Sequence, residues 1–292
     1  RGYYGAYAQA GAPVGVILAN LAFLLISATV SDEAFMEWGW RIPFLASVAL
    51  IGVSMYVQLN LEDTPAFREL EKVQQEHPHQ GEEIMPPDEA FEAVVAEKTP
   101  LRGRSPVLEA LRLYPGRIAL AAGAFLSIQV AFYILIAFVV AYGSSSAGLG
   151  LPRDMMLAAV LIAALFQVFF QFWAAAYSDK HGRKGVYLAG AALLGLWSFA
   201  LFPLIDTGNF LLIVLAITGG LGFLGMQYGP QAAFFTELFS THVRYSGASL
   251  GYQVGAILGG AMAPTIAVLL WNKYGIIYVS AYIALASVPT II

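Results

Sequence analysis

Between Met155 and Leu204 the chain carries its charge in one place. Met155–Tyr177 and Gly185–Leu204 contain no charged residue, and between them stands Ser178-Asp179-Lys180-His181-Gly182-Arg183-Lys184. Each apolar run has the ~20 residues that a helix needs to cross the hydrocarbon core of a bilayer. A short polar knot between two such runs reads as a tight turn at a membrane surface. That constraint sets the fold class: an all-α, polytopic membrane helical bundle.

The rest of the composition agrees. The 292 residues are 59% hydrophobic and 12% charged, whereas a soluble domain is about 25% charged. Cysteine is absent, which excludes a disulfide framework and thiolate metal sites. The chain opens at Arg1 with neither Met nor a signal-peptide pattern. It stops at Ile292 inside an apolar run, Tyr278–Ile292, too short to span. It therefore reads as part of a longer protein, truncated at both ends.

Taken in order, the first span covers about Tyr7 to Ser27. Ser31 to Trp40 reads as a short acidic turn, and Trp38 and Trp40 suit an interfacial aromatic belt. The second span runs from Ile42 to about Leu59. Leu61 to Tyr114 is the long polar segment, rich in Glu, Pro and Gln. Thr64-Pro65 and Ser105-Pro106 look like helix starts within it. The third span is Ile118–Tyr142. The fourth ends at Tyr177, and the fifth follows the charged knot. The sixth, glycine-rich, runs from Phe210 to Gly229-Pro230, and Gln231–Tyr245 reads as a surface stretch. The seventh is Gly247–Trp271, and an eighth begins near Tyr278.

If alternate loops lie on opposite sides, twelve of the fifteen Lys and Arg fall on one side. Only Arg41, Arg153 and Lys273 fall on the other. The positive-inside rule makes the first side cytoplasmic, including Leu61–Tyr114, whose acids weigh little. Gln9 to Gly15 and Gln253 to Gly259 share the pattern Q-x-G-x-x-x-G. Both enter from the cytoplasmic side, as expected of parallel halves. The pairs Gly11/Gly15 and Gly255/Gly259 suit close helix packing, either static or sliding.

Polar residues within the spans are candidates for substrate contacts. Gln129 and Tyr133 share a helix face, as do Gln167 and Gln171. Gln227, Tyr228 and Gln231 cluster towards the cytoplasmic end of the sixth span. Amides and phenols can bind carboxylates or zwitterions, and they serve equally well as interhelical hydrogen bonds. The histidines are His77, His79, His181 and His242, all in polar segments. No metal and no cofactor is expected, and no nucleic acid.

The charged knot, with the residues before it, resembles the G-x-x-x-D-[RK]-x-G-R-[RK] signature of the major facilitator superfamily. It reads Ala175-Ala176-Tyr177-Ser178-Asp179-Lys180-His181-Gly182-Arg183-Lys184, with alanine in place of the opening glycine. Four further stretches are similar to the metabolite:proton symporter branch, which carries shikimate, α-ketoglutarate, citrate, proline and betaine. They are Gly5–Gly11, Trp38–Phe44, Glu62–Phe67 and Tyr228–Phe234. The resemblance implies that the spans are helices five to twelve of twelve. Residues 1–60 would be the last two helices of the N-terminal bundle. Residues 61–114 would be the cytoplasmic linker, and 115–292 the C-terminal bundle with its last helix truncated.

The resemblance also implies a cytoplasmic latch. Asp179 would sit at the positive N-terminal end of the first span near Gly2–Gly5, helped by Arg1. Gly182 would allow the turn, with Lys180, Arg183 and Lys184 at the headgroups and Arg244 playing the partner role for the other half. The alternative is that these charges only fix topology. The third and sixth spans would line the central cavity, which favours Gln129, Tyr133 and Tyr228 as substrate contacts, with Gln167 and Gln227 beside them.

The expected function is proton-coupled symport of a small polar metabolite across a bacterial inner membrane, by a protein monomeric at full length. The competing expectations are a sensor built on a transporter scaffold and a carrier of another class, such as sugars. An intramembrane enzyme would need a nucleophile-base pair or metal ligands inside the membrane, and no span offers either. No Asp, Glu, Lys, Arg or His lies near the middle of a span. A proton relay is therefore expected in helices preceding Arg1.

Overall fold

The computed structural model describes residues 2–60, 106–237 and 244–291. Two compact units are present, Arg1–Trp40 with Ser105–Ile292, and Arg41–Arg104. Among the described residues there is no strand, and seven helices are long and apolar enough to cross a membrane.

In the first unit, α1 (Gly2–Thr29) is the first span. A short helix, α2 (Asp32–Glu37), follows where the sequence suggests only a turn. Its cap explains the difference: the Ser31 Oγ accepts from the Ala34 N–H at 3.3 Å. In the second unit, α3 (Ile42–Ala46) and α4 (Val48–Asn60) make one span interrupted at Ser47, whose hydroxyl donates to the Phe44 carbonyl at 2.6 Å.

The first unit resumes with α5 (Pro106–Leu113), a short amphipathic helix. The third span is α6 (Pro115–Tyr133), a π-helical turn at Ile134–Phe138, and α7 (Val139–Ser144). Then come α8 (Arg153–His181), α9 (Arg183–Ile205) and α10 (Phe210–Glu237). The seventh span is α11 (Arg244–Gly255), a second π-helical turn at Ala256–Ala261, and α12 (Ala263–Tyr274). The last helix is α13 (Ile277–Ile291).

Two expectations about helix ends are corrected. The charged knot is not a loop. Helix α8 continues through Lys180 and His181, α9 starts at Arg183, and Gly182 alone turns the chain at φ +94°. A positive φ of that kind strains any residue with a Cβ. Nor does Gly229-Pro230 end the sixth span, because α10 runs on to Glu237 with Gln231 and Phe235 buried. The Thr64-Pro65 helix start and Ser105 lie outside the described residues.

The surface identifies the solvent. Leu196, Leu211, Phe169 and Leu285 are each at least 66% exposed, a pattern suited to hydrocarbon rather than water. The interior is joined by polar contacts between helices. The Tyr187 hydroxyl donates to the Ala124 carbonyl at 2.7 Å, that of Ser198 to the Ser280 carbonyl at 2.9 Å, and that of Thr290 to the Gly123 carbonyl at 3.0 Å.

Glycine sets the closest approaches. Helix α8 packs on α10, and α6 on α11 with the π turn after it. A Cβ built on Gly225 would stand 3.0 Å from the Gln167 carbonyl oxygen. One on Gly229 would stand 2.9 Å from the Ala175 nitrogen. The glycine missing from position 175 is thus supplied by the facing helix. On the second seam, a Cβ on Gly255 would meet the Ala122 oxygen at 2.9 Å, and one on Gly259 the Gln129 Cβ at 2.8 Å.

Gly11 and Gly15 behave differently. Both are exposed, and nothing among the described residues comes within 4 Å of a Cβ at either position. The shared Q-x-G-x-x-x-G pattern therefore does not give the same local structure twice, since Gln9–Gly15 is regular helix and Gln253–Gly259 enters a π turn. Replacing Gly255 with Val is expected to cost about 1–3 kcal/mol through overpacking against backbone. Gly11→Ala should instead leave stability unchanged or raise it by up to about 1 kcal/mol. Thermal melts of the purified protein in detergent would separate the two.

Candidate functional site

The charged end of α8 faces the start of α1. Because Gly182 ends the helix abruptly, Asp179 stands in the last turn with its carboxylate free to reach sideways. Its Oδ2 accepts the Tyr3 backbone N–H at 2.9 Å, and its Oδ1 accepts from the Arg183 Nη2 at 3.4 Å. The first N–H groups of a helix have no intrahelical acceptor, so a carboxylate there satisfies a donor and meets the positive end of the dipole, worth ~0.3–1 kcal/mol at an exposed site. The side chains of Lys180 and Lys184 are exposed. Arg1 and the Arg244 side chain lie outside the described residues.

Deeper along the same junction, α1 lies against α8 and α10 with Ala6, Ala10 and Pro13 buried. Two amides bridge it. The Gln171 Nε2 donates to the Ala6 carbonyl at 3.1 Å, and the Gln9 Nε2 to the Gln231 Oε1 at 3.4 Å. The Gln171 Oε1, the Gln231 Nε2 and the Gln167 Nε2 remain buried without a partner. Such groups are costly in a dry interior and mark places where water or a ligand group is needed.

The residues expected to cluster on the sixth span meet three different partners, although Gln227 and Gln231, four apart, share a helix face. Gln231 meets α1. Gln227 is fully buried and its Oε1 accepts from the Ser127 hydroxyl at 2.7 Å, while its Nε2 finds no partner. Tyr228 is buried beside Tyr252. Gln227 and Tyr228 are successive and so lie about 100° apart, while Gln231 lies one turn further along the face of Gln227. Gln129 and Tyr133 do share a face, opposite Gly260, whose Cβ would stand 2.7 Å from the Tyr133 ring and 3.3 Å from the Gln129 Nε2. Gln129 is 8% and Tyr133 37% exposed. The π turn begins directly after Tyr133, and such turns often accompany functional sites.

Four participants carry little signal in the sequence. Ser127 and Tyr252 are ordinary residues for packed membrane helices. The Tyr142 hydroxyl donates to the Asp206 Oδ1 at 2.7 Å, joining α7 to the end of α9. Asp206 sits in a stretch that reads as a turn, and its one cue is a lone acid beside an apolar run.

A bundle of apolar spans with interior amides and phenols, joined at one face by a carboxylate on a helix start, is the architecture of a polytopic membrane protein. Comparison with known proteins places it. A family model described as "Major Facilitator Superfamily" matches residues 1–264, and the chain belongs to that superfamily. It is similar to the inner membrane metabolite transport protein YhjE of Escherichia coli K12, 32% identical over 296 residues that cover 100% of this chain and 61% of that protein. The shikimate transporter of the same organism is 31% identical over 271 residues, covering 92% of this chain and 56% of that protein. The chain thus spans less than two thirds of these relatives. A solved structure, the proton:xylose symporter XylE bound to 6-bromo-6-deoxy-D-glucose, shares the fold at TM-score 0.68 and 17% identity, covering 100% of this chain and 62% of its own.

Ser127→Ala is expected to leave the Gln227 amide without either partner and to lower stability by about 1–3 kcal/mol. Asp179→Ala should speed hydrogen exchange at the Tyr3 amide while leaving exchange in the α8–α10 seam unchanged. Mass-spectrometric exchange on the two variants reads both effects, and an unaltered Tyr3 amide would remove the contact from consideration.

Proposed function

We propose that the protein containing this chain is a secondary active transporter that moves a small polar metabolite, a carboxylate or a zwitterion, together with protons by alternating access. The observation that carries this reading is the hydrogen bond from the Tyr3 N–H to Asp179. It ties the start of α1 to α8 through a charge-assisted contact, local enough to break. Membership of the superfamily supports transport over catalysis. The names of YhjE and the shikimate transporter support a polar metabolite as substrate and an inner membrane as the location.

In this proposal residues 1–60 are the last two helices of one bundle, 61–114 the cytoplasmic linker and 115–292 the second bundle. Asp179, with Arg183 and the Gly182 turn, acts as the latch, Lys180 and Lys184 stand at the headgroups, and Arg1 and Arg244 assist. Gln129, Tyr133, Gln167, Gln227 and Tyr228 serve as substrate contacts. Three of the glutamines on α8 and α10 keep buried donors without a partner, a chemistry suited to a carboxylate. Gly255 and Gly259 keep the α6–α11 seam tight as the bundles rock. No cofactor takes part, and the working unit is a monomer.

The test is uptake in right-side-out vesicles by the protein expressed in full, against shikimate, α-ketoglutarate, citrate, proline and betaine. One compound should accumulate, a protonophore should abolish accumulation, and Asp179→Asn should slow it. If the inserted, folded protein takes up none of these, the substrate class is wrong. If uptake ignores the protonophore, the coupling is wrong.

A further inference from the structure

Arg153 breaks the charge pattern of the chain. It is one of the three cations that the topology places opposite the Lys/Arg-rich face, so the positive-inside rule gives it no role there. It is the first residue of α8 and is exposed, and no carboxylate lies within ion-pair distance of it among the described residues. The neighbouring Asp154 accepts from the Ser27 hydroxyl at 3.3 Å.

Arg153 lines two cavities, of about 590 and 340 Å³, that share Phe23 and Leu157 as apolar walls. The larger lies between α1, the outer end of the third span and the start of α8. Its polar lining is Asn20, Ser144, Ser145 and Arg153, with no acid in it. The Asn20 Nδ2 is tied to the Val16 carbonyl at 2.9 Å and the Ser144 hydroxyl to the Val140 carbonyl at 2.8 Å. The Ser145 Oγ accepts from the Gly148 N–H at 3.1 Å, which leaves its own proton to donate. One guanidinium and one hydroxyl donor over an acid-free, partly apolar wall match a small organic acid. The guanidinium fork fits a carboxylate with two parallel bonds.

We propose that the Arg153 cavity is an outer binding site for the carboxylate of a small organic acid, occupied before the acid reaches the residues at mid-membrane. This rests on the transport reading and narrows its substrate to the anionic class. Arg153 makes the charge-assisted contact, Ser145 donates a second bond, and Phe23 and Leu157 hold the apolar part.

The absence of cysteine from this chain supplies the experiment. Ala141 lines the cavity outside the polar set, and Ala141→Cys, in the intact protein on a cysteine-free background, is labelled with a membrane-impermeant maleimide. The vesicles are right-side-out and made of phosphatidylcholine alone, and shikimate, α-ketoglutarate and citrate are the probes, with xylose as the uncharged control. At least one acid should slow labelling severalfold while xylose does not. Arg153→Gln should raise the half-protecting concentration about tenfold, the loss expected for a charge-assisted bond. Arg153→Lys, which keeps the charge and loses the fork, should protect better than Arg153→Gln and less well than Arg153, and unliganded labelling at the parental rate shows that both variants fold.

The proposal fails if Ala141→Cys resists labelling from outside, if no acid protects, or if protection survives Arg153→Gln. It also fails if protection follows added phosphatidylglycerol rather than free acid, which would assign the cation to lipid phosphate. Labelling needs no turnover, so a protein that transports none of the probes can still show protection, and the two readings fail separately.

Discussion

Backbone-to-backbone approach between helices is the interaction on which the rest of this structure depends. Inside a bilayer the hydrophobic effect does not press one apolar helix against another, and close packing has to do that work. Gly225 and Gly229 let α10 lie on the main chain of α8 at Gln167 and Ala175, and Gly255 and Gly259 let the seventh span lie on the third at Ala122 and Gln129. A single added Cβ at any of these points would stand within about 3 Å of its neighbour. Gln129, Gln167 and Gln171 lie along those two seams.

The seams also explain why the buried amides are only partly satisfied. Helices held this close have little freedom to rotate, so Gln167, Gln171 and Gln227 take whatever partner the fixed register offers. Gln171 reaches the Ala6 carbonyl and Gln227 reaches Ser127, yet each keeps one polar atom without a partner. A purely structural set of glutamines would be expected to pair fully, because an unmet donor in a dry interior is costly.

At the Lys/Arg-rich face the logic is electrostatic rather than steric. Gly182 is the only residue between α8 and α9, and its positive φ lets both helices run to their ends without an intervening loop. Asp179 is therefore carried on a rigid helix to the first amides of α1. A carboxylate on a flexible loop would lose much of the same bond to the entropy of ordering it. The junction between α1 and α8 is thus fastened by hydrogen bonds at Asp179, Gln171 and Asp154, with the small side chains Ala6 and Ala10 packed between.

Much of this was legible in the chain itself. Uncharged runs of spanning length determine the helices, since a bilayer admits no other open-ended backbone, and the distribution of Lys and Arg determines their orientation. The family resemblance, rather than local chemistry, put Gly182 at the turn and Asp179 at a helix start. Contact partners were decided only in three dimensions. Gln227, Tyr228 and Gln231 look like one cluster, but the helices that face each of them send them to Ser127, Tyr252 and Gln9. Gly11 and Gly255 sit in matching patterns, yet only Gly255 meets a neighbour. The π turns after Tyr133 and Gly255 and the acid-free cavity at Arg153 have no signature in composition or spacing. They arise from how separate helices meet, and a sequence carries periodicity along one helix but not the register between two.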